Sequence, residues 1–448
     1  MRRQGQVGPA GVRWPALLEW LALGAALLTI IWAPLYEGST FGVGLLGLTL
    51  LGAVTVSLTL LTLLVKGQLQ VRSPFWALLV LGLLAWVWAS TGWAANALEA
   101  LRWAGVWMAV LGTALSLHVL CTTRLRRGTV LAGILLTGAA AVVIALLQAR
   151  GITIPGAQVI EGVPEQFLTG PYFHPSHFSG SLIPVAALTT SVLLFTRPSW
   201  HSLPLLALQV GVQYVNLQTD GSSIPAVILA GALPLLVWVW TRRPWAGAVL
   251  TVLVLAGAVG GASLILTPQG QVRFNQDKAR LGIRSQNLEG FLAVRRDIHQ
   301  FGNSLWRAHP VRGVGVGQFV TEFQLYRQPY RAGVPSVDQQ FVNYAHSDYY
   351  QMLSELGSVG LALFLLVLLA SVLKRGPGVG GLAWCAALPA FMLTGFYDSH
   401  LTAIPGTMLT AFALSALPAR ARYGRTAGQP DAATPQPSLD EKLISIDF

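Results

Sequence analysis

The chain has 448 residues, of which 53% are hydrophobic and 10% charged, with a formal net charge of +11. A soluble globular domain carries about 25% charged residues, so this composition excludes one. The positive charge does not argue for nucleic acid, because most basic residues flank apolar runs, where membrane topology accounts for them.

Apolar runs of about 20 residues, each long enough to cross a hydrocarbon core of about 30 Å, recur along the chain. The opening MRRQGQVGPAGVRW has no small-residue cleavage site and leads into what reads as a retained first helix. About twelve spans follow in order: 16–34, 41–65, 75–93, 101–121, 129–148, 178–196, 202–218, 223–241, 246–266, 349–373, 379–396 and 403–419. Arg2, Arg3 and Arg13 precede the first span, Lys66 and Arg72 follow the second, and Arg124, Arg126 and Arg127 follow the fourth. Arg197, Arg242, Arg243, Lys374, Arg375, Arg420, Arg422 and Arg425 continue the series, and alternating spans put all of these on one side. Both termini are then cytoplasmic. The predicted fold is all-α: a polytopic integral membrane protein with about twelve transmembrane helices and a large extracytoplasmic loop between the ninth and tenth.

This divides the chain into four parts. Residues 1–266 hold helices one to nine, with an outer loop near 149–177. Residues 267–348 form the large outer loop, and 349–419 hold helices ten to twelve. The polar, Pro-rich 420–448 reads as a disordered cytoplasmic tail. Cys121 and Cys385 lie in or beside spans and show neither metal-ligand spacing nor a disulfide framework.

Long loops inside a compact protein are usually functional. The large loop is rich in arginine, with Arg273, Arg280, Arg284, Arg295, Arg296, Arg307, Arg312, Arg327 and Arg331. Such a surface at the membrane face suits a lipid-linked phosphate or pyrophosphate, since the guanidinium fork grips phosphate bidentately. A basic amphipathic helix lying on anionic headgroups is the plainer alternative. Gly313, Gly315 and Gly317 alternate in HPVRGVGVGQF. No βαβ unit surrounds them, so they read as a tight turn or a close backbone approach, not a nucleotide fingerprint.

The loop ends on His346, and Ser347 or Asp348 is a natural cap for the helix that follows. Asp348 and Glu355 share one face of that helix and His346 points away, so a His346–Asp348 relay is not expected. The positive helix end favours a neutral imidazole, the form a general base needs. His346 therefore reads either as a headgroup-contacting histidine or as a base. Outer cavity candidates are His174 and His177 in FHPSHFSG, Asp220 in QTDGSS, and Asp398 and His400 in YDSHLT. His174 and His177 have H-x-x-H spacing but no third ligand nearby, so no metal is expected.

The pair HPVRGVGVGQF and AHSDYYQMLSELGSVG resembles the O-antigen ligase and polymerase family, whose motif sets a glycine-alternating turn after His-Pro ahead of a histidine-led helix. Here it falls on His309, Pro310, Gly313, Gly315, Gly317 and Phe319, then His346, Tyr350, Gln351, Glu355, Gly357 and Gly360. FHPSHFSGSLIPVA also looks like the family's stretch before a middle span. The resemblance implies a bacterial inner-membrane enzyme of the glycosyltransferase C layout with its active site facing the periplasm. It implies transfer of a glycan from an undecaprenyl-pyrophosphate carrier to a hydroxyl of lipid A core, a growing glycan or a protein. His346 would be the general base, arginines would hold the pyrophosphate, and no cofactor is implied.

Arg295 or Arg296 matches the family arginine upstream of the glycine turn. The family's Ser-Arg-Gly entering a middle span is TDGSSIPAV here, without arginine, which shifts donor contacts toward Arg273, Arg280 or Arg284. Ser347 stands where asparagine is frequent. Guanidinium groups can stabilise a departing diphosphate, so a metal-independent, inverting single displacement is expected. Polymerase and protein-transferase readings share these motifs, and a non-catalytic carrier of lipid-linked sugar is the alternative outside the class.

Overall fold

The computed structural model describes residues 14–69, 71–152, 167–200, 202–270, 272, 276, 288–323, 342–374 and 378–417. Arg273, Arg280, Arg284, Arg327, Arg331 and the tail 420–448 lie outside the described residues. The regular elements described are all helical. In chain order they are α1 (Trp14–Leu35), α2 (Gly42–Lys66), α3 (Pro74–Ser90), α4 (Ala97–Leu120), α5 (Arg124–Gln148), α6 (Pro175–Phe195) and α7 (Ser202–Leu217). After these come α8 (Ile224–Arg242), α9 (Pro244–Leu266), α10 (Leu288–Ala308), α11 (Phe319–Glu322), α12 (Asp348–Leu373), α13 (Val379–Thr394) and α14 (Pro405–Ala416).

Each apolar run of the sequence contains one of these helices. Among the described residues, α1, α2, α4, α5, α6, α8 and α12 are long and apolar enough to cross a bilayer, and α3, α13 and 244–257 of α9 are shorter apolar helices. Local chemistry sets the ends. Proline occupies the first turn of α3, α6, α8, α9 and α14, where its missing N–H costs nothing. The side chains of Asn96 and Thr123 cap α4 and α5 by accepting from the Glu99 and Arg126 N–H groups. The chain is a polytopic membrane protein, all-helical among the described residues.

Packing runs α1 on α2, α2 on α4, α4 on α14, α6 on α8 and α13, and α3 on α12. Trp107, Trp384, Phe178, Phe391 and Phe412 are fully buried between them. Small residues let backbones approach: a Cβ on Gly52 of α2 would lie 2.6 Å from that of Ala109 on α4.

The two ends of the bundle differ. At one end Glu19 of α1 pairs with both Lys66 of α2 and Arg126 of α5. Arg72, ahead of α3, donates to the Thr122 carbonyl (3.0 Å), and Lys374 lies 3.5 Å over the Trp76 ring. This basic end joins the start of α1, α3 and α5 to the end of α2, α4 and α12. The opposite end of α12, its start, carries His346.

Above that start lies a small second core. Val294, Ile298, Phe301 and Leu305 form an i, i+4, i+7, i+11 stripe on α10. They pack on Val314, Phe319, Phe323, Val342, Ala345 and Tyr350. The apolar face of the amphipathic helix is therefore spent on protein, not on headgroups.

Candidate active site

The two glycine-rich motifs of the sequence form one device. Gly357 interrupts α12 with φ +67° and ψ −170°, backbone that only glycine readily adopts. The break frees the carbonyls of Ser354 and Glu355, which accept instead from the N–H groups of Val314 (3.0 Å) and Gly315 (2.8 Å). It also frees the N–H groups of Ser358 and Val359, which donate to the carbonyls of Pro310 (2.9 Å) and Val311 (3.4 Å). The turn after His309 thus replaces the helix's own lost ladder. Gly313, Gly315 and Gly317 all have positive φ, and a Cβ on Gly313 would come within 2.3 Å of the Glu355 backbone. His309 closes α10, its carbonyl accepting from the Gly313 N–H (3.0 Å). The buried Glu355 carboxylate accepts from the Phe319 N–H (3.1 Å) and fixes the far end of the turn.

His346 sits at the foot of this anchored helix with φ +48°, left-handed backbone rarely taken by a non-glycine residue. Its neighbours are pinned on both sides. The Ala345 N–H donates to Gln351 Oε1 (2.6 Å). Ser347 is the helix cap: its Oγ accepts from the Tyr350 N–H (3.4 Å) and donates to the Gly395 carbonyl (2.7 Å). The imidazole lies 4.2 Å from the Tyr344 ring, centre to centre, and 18% of the side-chain surface is exposed.

Its acidic partner comes from the loop between α13 and α14. Nδ1 of His346 is 3.7 Å from Oδ1 of the fully buried Asp398. Nε2 of His400 is 3.8 Å from the other Asp398 oxygen and 3.1 Å from the Ser223 hydroxyl. Asp348 faces away from His346, its Oδ1 accepting from the Leu401 N–H (2.9 Å) and the Thr402 hydroxyl (2.7 Å). Asp348 therefore clamps the loop that delivers Asp398. His177 lies 2.7 Å from the Tyr344 hydroxyl, and Nδ1 of His174 accepts from Ser176 to cap α6. Asp220 holds its own turn through the Ser222 N–H and hydroxyl.

Burial pushes the His346 pKa down to about 4, and the Arg295 guanidinium adds to this, outweighing Asp398. The neutral imidazole expected from the helix end is reached, but by desolvation and a neighbouring cation. Burial opposes ionisation of Asp398. The imidazoles of His400 and His346 and the Arg295 guanidinium more than offset it and hold the carboxyl well below its usual range. An ionised Asp398 favours a proton on the facing Nδ1, which leaves the lone pair on Nε2 of His346. That is a general-base tautomer.

Beside this pair opens a cleft of about 460 Å³ lined by Arg295, Arg296, His299, Gln300 and Asn303 of α10 and by Tyr350, Phe396 and Tyr397. Nε of Arg295 donates to the Tyr397 carbonyl (3.0 Å), next to Asp398. Of the sequence candidates, His346, Asp398, His400, His174, His177, Tyr350 and Arg295 converge here, with Arg296 on the cleft's exposed rim. His309, Gly313, Gly315, Gly317 and Glu355 support from behind. His299, Tyr344 and Tyr397 escaped the sequence reading. The signal for His299 was its spacing, since Arg295, His299 and Asn303 recur every four residues and share a helix face.

Residues 212–365 match the model of the O-antigen ligase family. That segment is similar to the O-antigen ligase domain. The matched segment runs from within α7 through α8, α9, α10 and the glycine turn into α12, so it includes His346 and the α10 wall of the arginine cleft. Asp398, His400, His174 and His177 lie outside the matched O-antigen ligase segment. A search of curated proteins found no match. The match supports a membrane protein of the glycan-transferring ligase and polymerase kind, for which the O-antigen ligase family in general implies lipid-linked glycan and acceptor partners.

Asp398→Asn is expected to lower kcat on the order of 10²-fold, because the neutral amide no longer selects the Nδ1–H tautomer. The acid limb of the rate profile should move to lower pH, since Asp398 raises the His346 pKa. An unchanged kcat in this variant would remove Asp398 from the mechanism.

Proposed function

We propose that the chain is an inverting, metal-independent glycosyltransferase of the O-antigen ligase type. It moves a glycan from an undecaprenyl-pyrophosphate carrier to an acceptor hydroxyl. The observation that carries this reading is a neutral, largely buried His346 facing the buried Asp398 carboxylate, beside a cleft with two arginines on one wall.

The chemistry balances on these groups. Nε2 of His346 removes the proton of the acceptor hydroxyl. The acceptor oxygen bonds to the anomeric carbon as the bond from that carbon to the pyrophosphate oxygen breaks. The lipid pyrophosphate leaves as an anion, and Arg295 and Arg296 balance its charge. One displacement inverts the anomeric centre. Lipid A core, a growing glycan or a protein hydroxyl each fits as acceptor, so ligase, polymerase and protein-transferase activities share this centre. A passive carrier of lipid-linked sugar would use the arginines but would give the His346–Asp398 pair no task. The basic end of the bundle argues for a cytoplasmic location of that end in the bacterial inner membrane, with His346 at the periplasmic face.

The test is transfer by the purified protein from a synthetic polyprenyl-pyrophosphate glycan, with and without a chelator. Transfer should persist in the chelator, and Arg295→Ala should raise the donor KM by about tenfold. Loss of transfer on chelation, or lipid translocation with no transfer, would overturn this assignment.

A further inference from the structure

The backbone of His346 is held in a conformation that L residues disfavour. Its carbonyl meets Nε2 of His299 at 3.2 Å. A carbonyl oxygen can only accept, so Nε2 of His299 carries the proton and donates it. The His299 ring is itself fixed, stacked on Tyr350 with centres 4.8 Å apart and planes 26° from parallel. Tyr350 lies in the first turn of α12, whose cap is Ser347. His299 also lines the arginine cleft, one helical turn after Arg295.

We propose that His299 is a positioning residue: its Nε2–H holds the His346 carbonyl, and so the left-handed backbone that aims the His346 imidazole at Asp398. Resting on the transferase reading above, this assigns the base its alignment from the same helix face that supplies Arg295 and Arg296. Donor grip and base orientation then come from one rigid element, α10, whose opposite face is buried in the second core. Sites held by packed helices keep the sub-ångström alignment that proton transfer needs. Burial lowers the His299 pKa, which keeps its role to a single N–H donor near neutral pH.

The experiment compares His299→Leu with His299→Gln in the transfer assay. Leucine keeps an apolar group against Tyr350 but has no donor, whereas the glutamine Nε2 reaches about as far as the imidazole Nε2. His299→Leu should lose about tenfold in kcat with the donor KM little changed, and His299→Gln should recover most of the loss. Wild-type kcat in His299→Leu overturns the proposal. So does a folded His299→Gln with turnover down by about tenfold, a result that decides the matter even where His299→Leu does not fold. A rise in donor KM at constant kcat would make His299 a ligand of the donor and also overturns it. His346→Ala run alongside separates the two levels. Its inactivity beside a fully active His299→Leu removes this inference alone, while its retained activity removes the transferase mechanism and the inference together.

Discussion

His346→Ala is expected to lower transfer at pH 7 by about 10²- to 10⁴-fold, the range supplied by a positioned general base. Donor binding should change little, because the arginines proposed to hold the pyrophosphate belong to α10. The pH dependence gives the prediction a second dimension. A base acts in its deprotonated form, so kcat/KM should be flat through neutrality and fall on the acid side. With the His346 pKa pushed down to about 4, the fall should centre near there and not near the ordinary 6.5. A limb that stays near 6.5 would mean the imidazole is solvated in the working enzyme. Folding stability follows the same sign. A pKa lower in the folded chain than in the unfolded one leaves stability intact above about 6.5 and erodes it as pH falls toward about 4.

The second large effect is structural. Gly357→Ala should destabilise the protein by several kcal/mol, because alanine pays backbone strain of about 1–3 kcal/mol there and its Cβ has nowhere to go. That Cβ would lie 2.1 Å from the Val311 carbonyl oxygen, which belongs to backbone and cannot swing aside. Accommodating it breaks the exchange of four hydrogen bonds between the broken helix and the glycine turn, each worth about 1 kcal/mol. Activity should fall together with stability, since the same nine-residue first segment of α12 carries His346 at its foot. Gly128→Ala is the control: that glycine lies in α5 with open space around its Cβ position. There alanine should leave the thermal midpoint unchanged or raise it through helix propensity. Equal midpoints for the two variants would contradict the role given to Gly357.

The helices were legible in the sequence because a bilayer demands long apolar runs, and every run proved helical. The break in α12 was not legible. SELGSVG lies inside an unbroken apolar pattern, and one glycine in a helix ordinarily costs only about 1 kcal/mol. What marks it is the glycine turn forty residues upstream, whose need for a docking partner is visible only in three dimensions. The face of α10 could have been read, since Val294, Ile298, Phe301 and Leu305 alternate with Arg295, His299 and Asn303 at helical spacing.

The site divides along the same line. His346 was accessible from its motif, and helix geometry correctly separated it from Asp348. Its partner could not be deduced, because Asp398 follows another helix and reaches His346 through the packing of the α13–α14 loop. That loop is fixed by Asp348, so the acid beside the histidine serves the pair indirectly through Leu401 and Thr402. The neutral state of His346 was anticipated from the helix dipole, yet burial and Arg295 are what produce it. Desolvation depends on which side chains surround the ring, and no local spacing encodes that.

The most direct measurement reconstitutes the purified chain with a synthetic polyprenyl-pyrophosphate glycan and a hydroxyl acceptor, and follows free lipid pyrophosphate and glycosylated acceptor together. The predicted result is equal release of both by the wild type, in the presence of chelator, and loss of both in folded His346→Ala. Full transfer by that variant would contradict the account.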